Sequence, residues 1–218
     1  MSEFAQARST MVNGQIRPSD VTDHALQDAL LMVPRELFVP KAQLAKAYAD
    51  CEVSLGEGRY MLRPRAFAKL VQAVRIAPGD VVLDIGCGRG YSTAIIAQLC
   101  ETVIGLEDPE VESAEKSSQR LSSINADNAV IIEGPLENGA PGQGPFDVIF
   151  VNGAVDAPSK AWLDQLAEGG RLAVFERSGK IGRAKIYTKA NGMVGERAVF
   201  DAVTPLLPGF EPASGFVF

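Results

Sequence analysis

From Pro64 onward, short apolar runs alternate with longer stretches in which apolar residues recur at helical spacing. Phe67, Leu70, Val71 and Val74 predict a helix with one apolar face, which the turn Ala77-Pro78-Gly79-Asp80 ends. Mostly apolar runs at 81–85, 102–106, 129–132, 146–151 and 171–175 predict strands buried on both faces. Between them the pattern predicts helices at 91–99, 110–124 and 158–167, a Gly/Pro-rich loop over 134–145, and a turn at Glu168-Gly169-Gly170. Strands that alternate with helices form a mostly parallel sheet with helices on both faces, so the fold class is α/β. Two further runs, 184–189 and 197–203, flank Asn191-Gly192 and predict a C-terminal hairpin that finishes the sheet.

Residues 1–64 have a different character. Val21, Leu26, Ala29, Leu30 and Val33 approximate a helical stripe that stops at Pro34, because a helix interior does not tolerate proline. The run from Pro34 to Pro64 reads as mostly irregular. A segment of this size cannot hold a core of its own. It is therefore expected to be a helical extension packed on a core at 65–218, giving one domain over 1–218.

The run Val81-Val82-Leu83-Asp84-Ile85-Gly86-Cys87-Gly88-Arg89-Gly90-Tyr91 carries the candidate chemistry. A strand enters a glycine loop and then a helix, whose first amides and dipole attract a polar ligand. A dinucleotide turn, G-x-G-x-x-G, needs a small residue at its third glycine; here that place holds Tyr91. The spacing is G-x-G-x-G, led by Asp84, and an acid before the loop suits an ammonium better than a pyrophosphate. Glu107, at the end of the next apolar run, is placed to accept hydrogen bonds from ribose hydroxyls. A nucleoside with an amino-acid tail satisfies both acids, and S-adenosylmethionine is such a molecule. A nicotinamide cofactor is disfavoured by Tyr91 and by the lack of a catalytic pair. Taken alone, a glycine-rich turn is equally a tight connection.

Composition narrows the partners. With a net charge of −6, a sequence-independent grip on nucleic acid is not expected. Cys51, Cys87 and Cys100 lack metal-ligand spacing, so no metal site is expected and the thiols are read as reduced. The N-terminus lacks the apolar run of a signal peptide and no stretch is long enough to span a bilayer, which predicts a cytoplasmic protein without a membrane partner.

Three further motifs, Met11-Val12-Asn13-Gly14-Gln15-Ile16-Arg17, Val33-Pro34-Arg35-Glu36-Leu37-Phe38-Val39-Pro40 and Ala47-Tyr48-Ala49-Asp50, resemble the protein-L-isoaspartate O-methyltransferases. The resemblance runs over nearly the whole chain. It implies a Rossmann-like methyltransferase fold, S-adenosylmethionine as cofactor, and a protein or peptide carboxylate as acceptor in protein repair. It also implies that Asp84, Gly86, Cys87, Gly88 and Glu107 hold the cofactor, with Pro135 and Leu136 on the adenine side.

Two departures stand out. The family's loop reads G-Q-T-I-S-Q-P, and its serine lies near the methyl donor and the acceptor carboxylate. Here the loop is Gly58-Arg59-Tyr60-Met61-Leu62-Arg63-Pro64, with Leu62 at the serine's place. The family's Gly-Asp-Gly after the third strand is Gly134-Pro135-Leu136; proline donates no backbone hydrogen bond and brings no carboxylate, though Glu137 lies nearby. The substrate-side loop thus offers Arg59, Tyr60, Leu62 and Arg63, and no catalytic residue is assigned.

Methyl transfer to an ionised carboxylate needs alignment and no general base. An arginine paired to that carboxylate stabilises the reactant more than the less charged transition state. The loop therefore reads either as anion-binding, through Arg59, Arg63 or Arg65, or as a solvated basic patch. Tyr60 is too long and rigid to replace the serine simply. Repair activity is expected to be weak or absent. Two alternatives remain open: a methyltransferase with another acceptor, and a non-catalytic cofactor-binding protein of regulation or assembly. His24 is expected at the surface, Cys87 as a small loop residue, and Trp162 packing its helix on the sheet. The aromatic tail 209–218 is expected to cover the core or the pocket, or to dock on a partner.

Overall fold

In the computed structural model, which describes residues 2–212, a seven-stranded sheet has the order β5-β4-β3-β6-β7-β8-β9. Its strands are β3 (Val81–Ile85), β4 (Thr102–Glu107), β5 (Ala129–Glu133), β6 (Phe146–Val155), β7 (Leu166–Ser178), β8 (Ile181–Ala190) and β9 (Met193–Asp201). The first five are mutually parallel; β8 and β9 complete the sheet as an antiparallel hairpin. The strand order reverses direction at β3, which has β4 on one side and β6 on the other. A parallel sheet opens its ligand crevice at such a point, beyond the carboxyl ends of the strands.

Alternate residues of these strands feed two cores. Val82, Val103, Val148, Phe150 and Phe175 face the layer of α1 (Glu3–Met11), α2 (His24–Met32), α3 (Pro64–Val74), α4 (Tyr91–Ala97) and α5 (Ala114–Ser122). Leu83, Ile85, Ile149, Val151 and Leu172 face α6 (Lys160–Asp164), the loop after β5 and the C-terminal segment. Trp162 of α6 is fully buried there, donates to the Leu136 carbonyl at 2.7 Å, and stacks at a tilt on Phe210 with centroids 5.0 Å apart. The extension shares the first core: Met11, Ile16, Leu26 and Phe38 are wholly buried in it. Asp23 caps α2 by accepting the Leu26 amide, and Pro34 lies just beyond the helix end.

Several element boundaries differ from the pattern-based expectation. The last two helices are shorter, because Ser159 caps α6 late and β7 begins at Leu166, beside Phe146. The turn expected at Glu168-Gly169-Gly170 is an irregularity inside β7, with Gly169 at φ +80°. A larger difference lies in the stretch read as irregular, which contains a separate two-stranded hairpin, β1 (Val53–Gly56) and β2 (Arg59–Met61). Its strands are too short to show a clear period, and an arginine occupies an inward position of β2. Of the aromatic tail, residues 213–218 lie outside the described residues. Among the described residues no helix is long and apolar enough to cross a membrane.

Arg35 ties the extension to the sheet. It is fully buried, donates Nε to the Ala47 carbonyl at 2.7 Å and Nη2 to the Leu62 carbonyl at 2.8 Å, and lies 4.6 Å from the Tyr91 ring centroid. Its removal strands two carbonyls and leaves a void. Arg35→Ala is expected to cost about 3–5 kcal/mol in urea denaturation. Arg35→Lys should recover less than half, since an ammonium lacks the planar fork. A loss below about 1 kcal/mol would mean that water satisfies both carbonyls.

Candidate functional site

The glycine loop leaves β3 at its carboxyl end with Gly86, Gly88 and Gly90 at φ +69°, +59° and +94°. The Gly86 and Cys87 amides return to the Leu106 carbonyl of β4, which fixes the loop beside Glu107. Beyond the loop α4 begins at Tyr91, whose ring packs between Phe38 and Phe67 at centroid distances of 5.8 and 5.9 Å. The large residue at the third glycine position is thus a core residue that seats the extension.

Asp84 is wholly buried and does not face a cavity. Its Oδ2 accepts from Ser92 and Thr93, both at 2.7 Å, and its Oδ1 accepts from Asn152 Nδ2 at 2.5 Å. In this arrangement it ties β3 to α4 and β6. Burial pushes its pKa up to about 6, against the pull of the Thr93, Ser92 and Asn152 hydrogen bonds. Cys87 is buried in the loop, and desolvation raises its thiol pKa well above the ordinary value, followed by the Glu107 and Asp84 charges. It is a small buried loop residue, as its position in the motif suggests.

Glu107, only 1% exposed at the end of β4, has no free acceptor site. Its Oε2 accepts from Arg59 Nη2 at 2.9 Å and from the Gly88 amide at 2.5 Å. Its Oε1 accepts from Arg59 Nε at 3.3 Å and the Asp108 amide at 3.0 Å. An ionised carboxylate offers about four acceptor sites, so four donors saturate it. Arg59 Nη2 also donates to the Gly86 carbonyl at 2.6 Å, and Arg59 is 3% exposed.

The space that the glycines leave is filled by the chain itself. A β-carbon at Gly86 would lie 2.6 Å from Arg59 Nη2, and one at Gly88 would lie 2.5 Å from Leu55 Cδ1. From the opposite side Leu207 packs on Gly153, its Cδ2 2.6 Å from where a β-carbon would stand. Beside the loop remains a cavity of about 10 Å³, touched by Leu55, Tyr60, Leu62, Gly86, Gly88 and Asn152. That holds one water at most.

Each arginine of the 58–65 stretch is paired with a carboxylate: Arg59 with Glu107, Arg63 with Glu52 and Arg65 with Asp50. Arg63 grips Glu52 with Nε at 2.6 Å and Nη2 at 2.9 Å, and Arg65 meets Asp50 at 3.0 Å. Tyr60 is 37% exposed and borders the small cavity. Leu62 is buried at the mouth of the small cavity, with its carbonyl on Arg35. Pro135 and Leu136 open a 3₁₀ turn at Leu136–Asn138, which Gln165 braces through the Ala140 amide and the Asn138 carbonyl. This turn lines a second cavity of about 310 Å³ together with Arg59, Asp108, Glu110, Glu137 and Phe210. His24 is exposed at the start of α2, outside these cavities.

The residues that motif reading missed are Leu55, Asn152 and Leu207. Leu55 and Leu207 belong to segments without a motif, and Asn152 lies in an apolar strand run where a polar residue was itself a signal.

A family model described as protein-L-isoaspartate(D-aspartate) O-methyltransferase matches residues 6–202. A protein-L-isoaspartate O-methyltransferase of Koribacter versatilis (strain Ellin345) is 32% identical over 216 residues, covering 98% of this chain and 97% of the relative. One from Synechococcus sp. (strain JA-2-3B'a(2-13)) is 36% identical over 171 residues, 78% of this chain and 70% of that protein. Among solved structures, a protein-L-isoaspartate O-methyltransferase superposes with a TM-score of 0.79 at 24% identity, over 93% of this chain and 66% of that longer one. A Plasmodium falciparum chain described as such an enzyme, in complex with S-adenosyl-L-homocysteine, gives 0.77 at 21% identity, over 95% of this chain and 99% of that one. Both likenesses are to the whole fold.

Asp84 generates a pH signature. Its folded pKa of about 6 lies above the ordinary carboxylate value of 3.8, so between those values the folded state holds the extra proton. The resulting stability is full below pH 4 and lost as pH rises through 6. Relative to the parent, Asp84→Asn should therefore gain about 2–3 kcal/mol between pH 4 and pH 7 in urea denaturation. A difference that stays constant with pH would show that the three hydrogen bonds hold Asp84 at the ordinary value.

Proposed function

The chain belongs to the protein-L-isoaspartate(D-aspartate) O-methyltransferase family, and we propose that it is a member whose repair activity is weak or absent. The family is one of S-adenosylmethionine-dependent methyltransferases. On this reading the site is the family's cofactor site in a single domain of 1–218, and the acceptor side faces protein or peptide carboxylates in the cytoplasm.

The observation that carries the reading is the saturated Glu107 carboxylate, which Arg59 holds with two nitrogens. S-adenosylmethionine does not fit the residues as they are arranged. Ribose hydroxyls would find no acceptor on Glu107, a ligand ammonium would find Asp84 fully engaged, and a cavity of about 10 Å³ takes no amino-acid tail. Pro135 offers the adenine edge no backbone donor.

On the acceptor side, Leu62 supplies no hydroxyl to orient a carboxylate oxygen against a methyl donor. Alignment is the principal contribution a protein makes to such a transfer, and a misplacement of about 1 Å costs roughly 100-fold. The nearby arginines do not replace the hydroxyl, because each is already paired with a carboxylate.

Labelled methyl transfer from S-adenosylmethionine to an isoaspartyl peptide should run at least about 100-fold below the Koribacter versatilis relative assayed alongside. Leu62→Ser alone should leave it there, since Arg59 still closes the cofactor side. Turnover by the parent protein within a few-fold of the relative would sink the proposal.

A further inference from the structure

We propose that the β1–β2 hairpin is an autoinhibitory cover, in which Arg59 and Leu55 occupy the ligand space over the glycine loop until the hairpin tip lifts. This rests on reading the loop as the family's cofactor site. The chemical class of ligand that would displace the cover is an adenosine carrying an amino-acid tail, matched to Glu107 and to the strand-to-helix loop.

Three contacts hold the tip down. Arg59 spans Glu107 and the Gly86 carbonyl, Leu55 covers Gly88, and a β-carbon at Gly58 would lie 3.2 Å from Pro208 Cγ of the C-terminal segment. The base is anchored differently. Val53, Met61 and Leu62 are buried, and the Leu62 carbonyl is bonded to Arg35. The hairpin pairs with no strand of the main sheet, and two short strands alone are marginal in water. Its exposed turn, Gly56-Glu57-Gly58, has positive φ at all three residues. The tip can therefore swing while the base stays in the core.

Lifting does not strand the guanidinium. Arg59 borders the 310 Å³ cavity, whose rim carries Glu57, Asp108, Glu110 and Glu137. These carboxylates offer a released arginine new partners in water, so the cost of leaving Glu107 is partly recovered. The same movement uncovers Gly88 and the Glu107 acceptor sites together, which couples access on the ribose side to access on the tail side.

The test is calorimetric titration of the full chain with S-adenosyl-L-homocysteine, a probe that binds without requiring transfer. Arg59→Ala should bind at least tenfold more tightly than the parent. Leu55→Ala, which leaves the ion pair intact, should bind at least threefold more tightly and keeps the test open if Arg59→Ala does not fold. On saturating the parent with probe, amide hydrogen exchange over 54–60 should speed up. Folded variants that bind no better than the parent would overturn the cover, as would tight binding by the parent with hairpin exchange unchanged. Methyl transfer is read separately: an Arg59→Ala that binds but does not methylate supports both proposals. One that methylates an isoaspartyl peptide at the relative's rate removes the part of the activity loss ascribed to Leu62 and leaves the cover standing.

Discussion

One carboxylate with four donors organises this end of the molecule. A buried charge is tolerated only when its hydrogen-bonding capacity is met, and Glu107 meets it wholly from within the chain. Two of its donors are backbone amides, of Gly88 and Asp108, which hold the glycine loop and the end of β4 in register. The other two come from a side chain 48 residues earlier, so the same carboxylate also locates the hairpin. Loop shape, strand end and cover therefore form one electrostatic unit.

The sheet decides where that unit stands. The reversal of strand order at β3 leaves a crevice beyond the strands' carboxyl ends, and two separate segments converge on it. The hairpin enters from the side of the extension, which Arg35 and Tyr91 fasten to α4. The C-terminal segment enters from the far side, where the Ala154 amide donates to the Pro205 carbonyl and the Leu207 amide donates to the Ala154 carbonyl. The glycines that would keep a crevice open for a ligand here admit side chains instead. A ligand-binding backbone and a filled site are thus compatible in one fold, because a backbone prescribes room and not its occupant.

Much of the architecture was legible in the sequence. The buried strands are apolar runs in the sequence, and the glycine spacing identifies the loop that leaves β3 beside Glu107. The family motifs pointed to the group that the match over residues 6–202 supports. Charge pairing was not legible. Arg59, Arg63 and Arg65 form a basic cluster in sequence, yet each meets an acid from another segment, at positions 107, 52 and 50. Periodicity reports burial within one element and says nothing about which distant acid an arginine finds. The hairpin was missed for a related reason: Arg59 occupies an inward place where the alternation calls for an apolar residue.

Trp162 is the chain's single tryptophan. Its indole N–H is fixed on the Leu136 carbonyl of the turn after β5, and its ring lies on Phe210 of the C-terminal segment. Both neighbours line the larger cavity beside Arg59. The molecule consequently has one indole fluorophore, seated behind the turn after β5 and shielded from water. Its emission is free of overlapping signals from other indoles, so changes at that wall can be followed optically in the unlabelled protein.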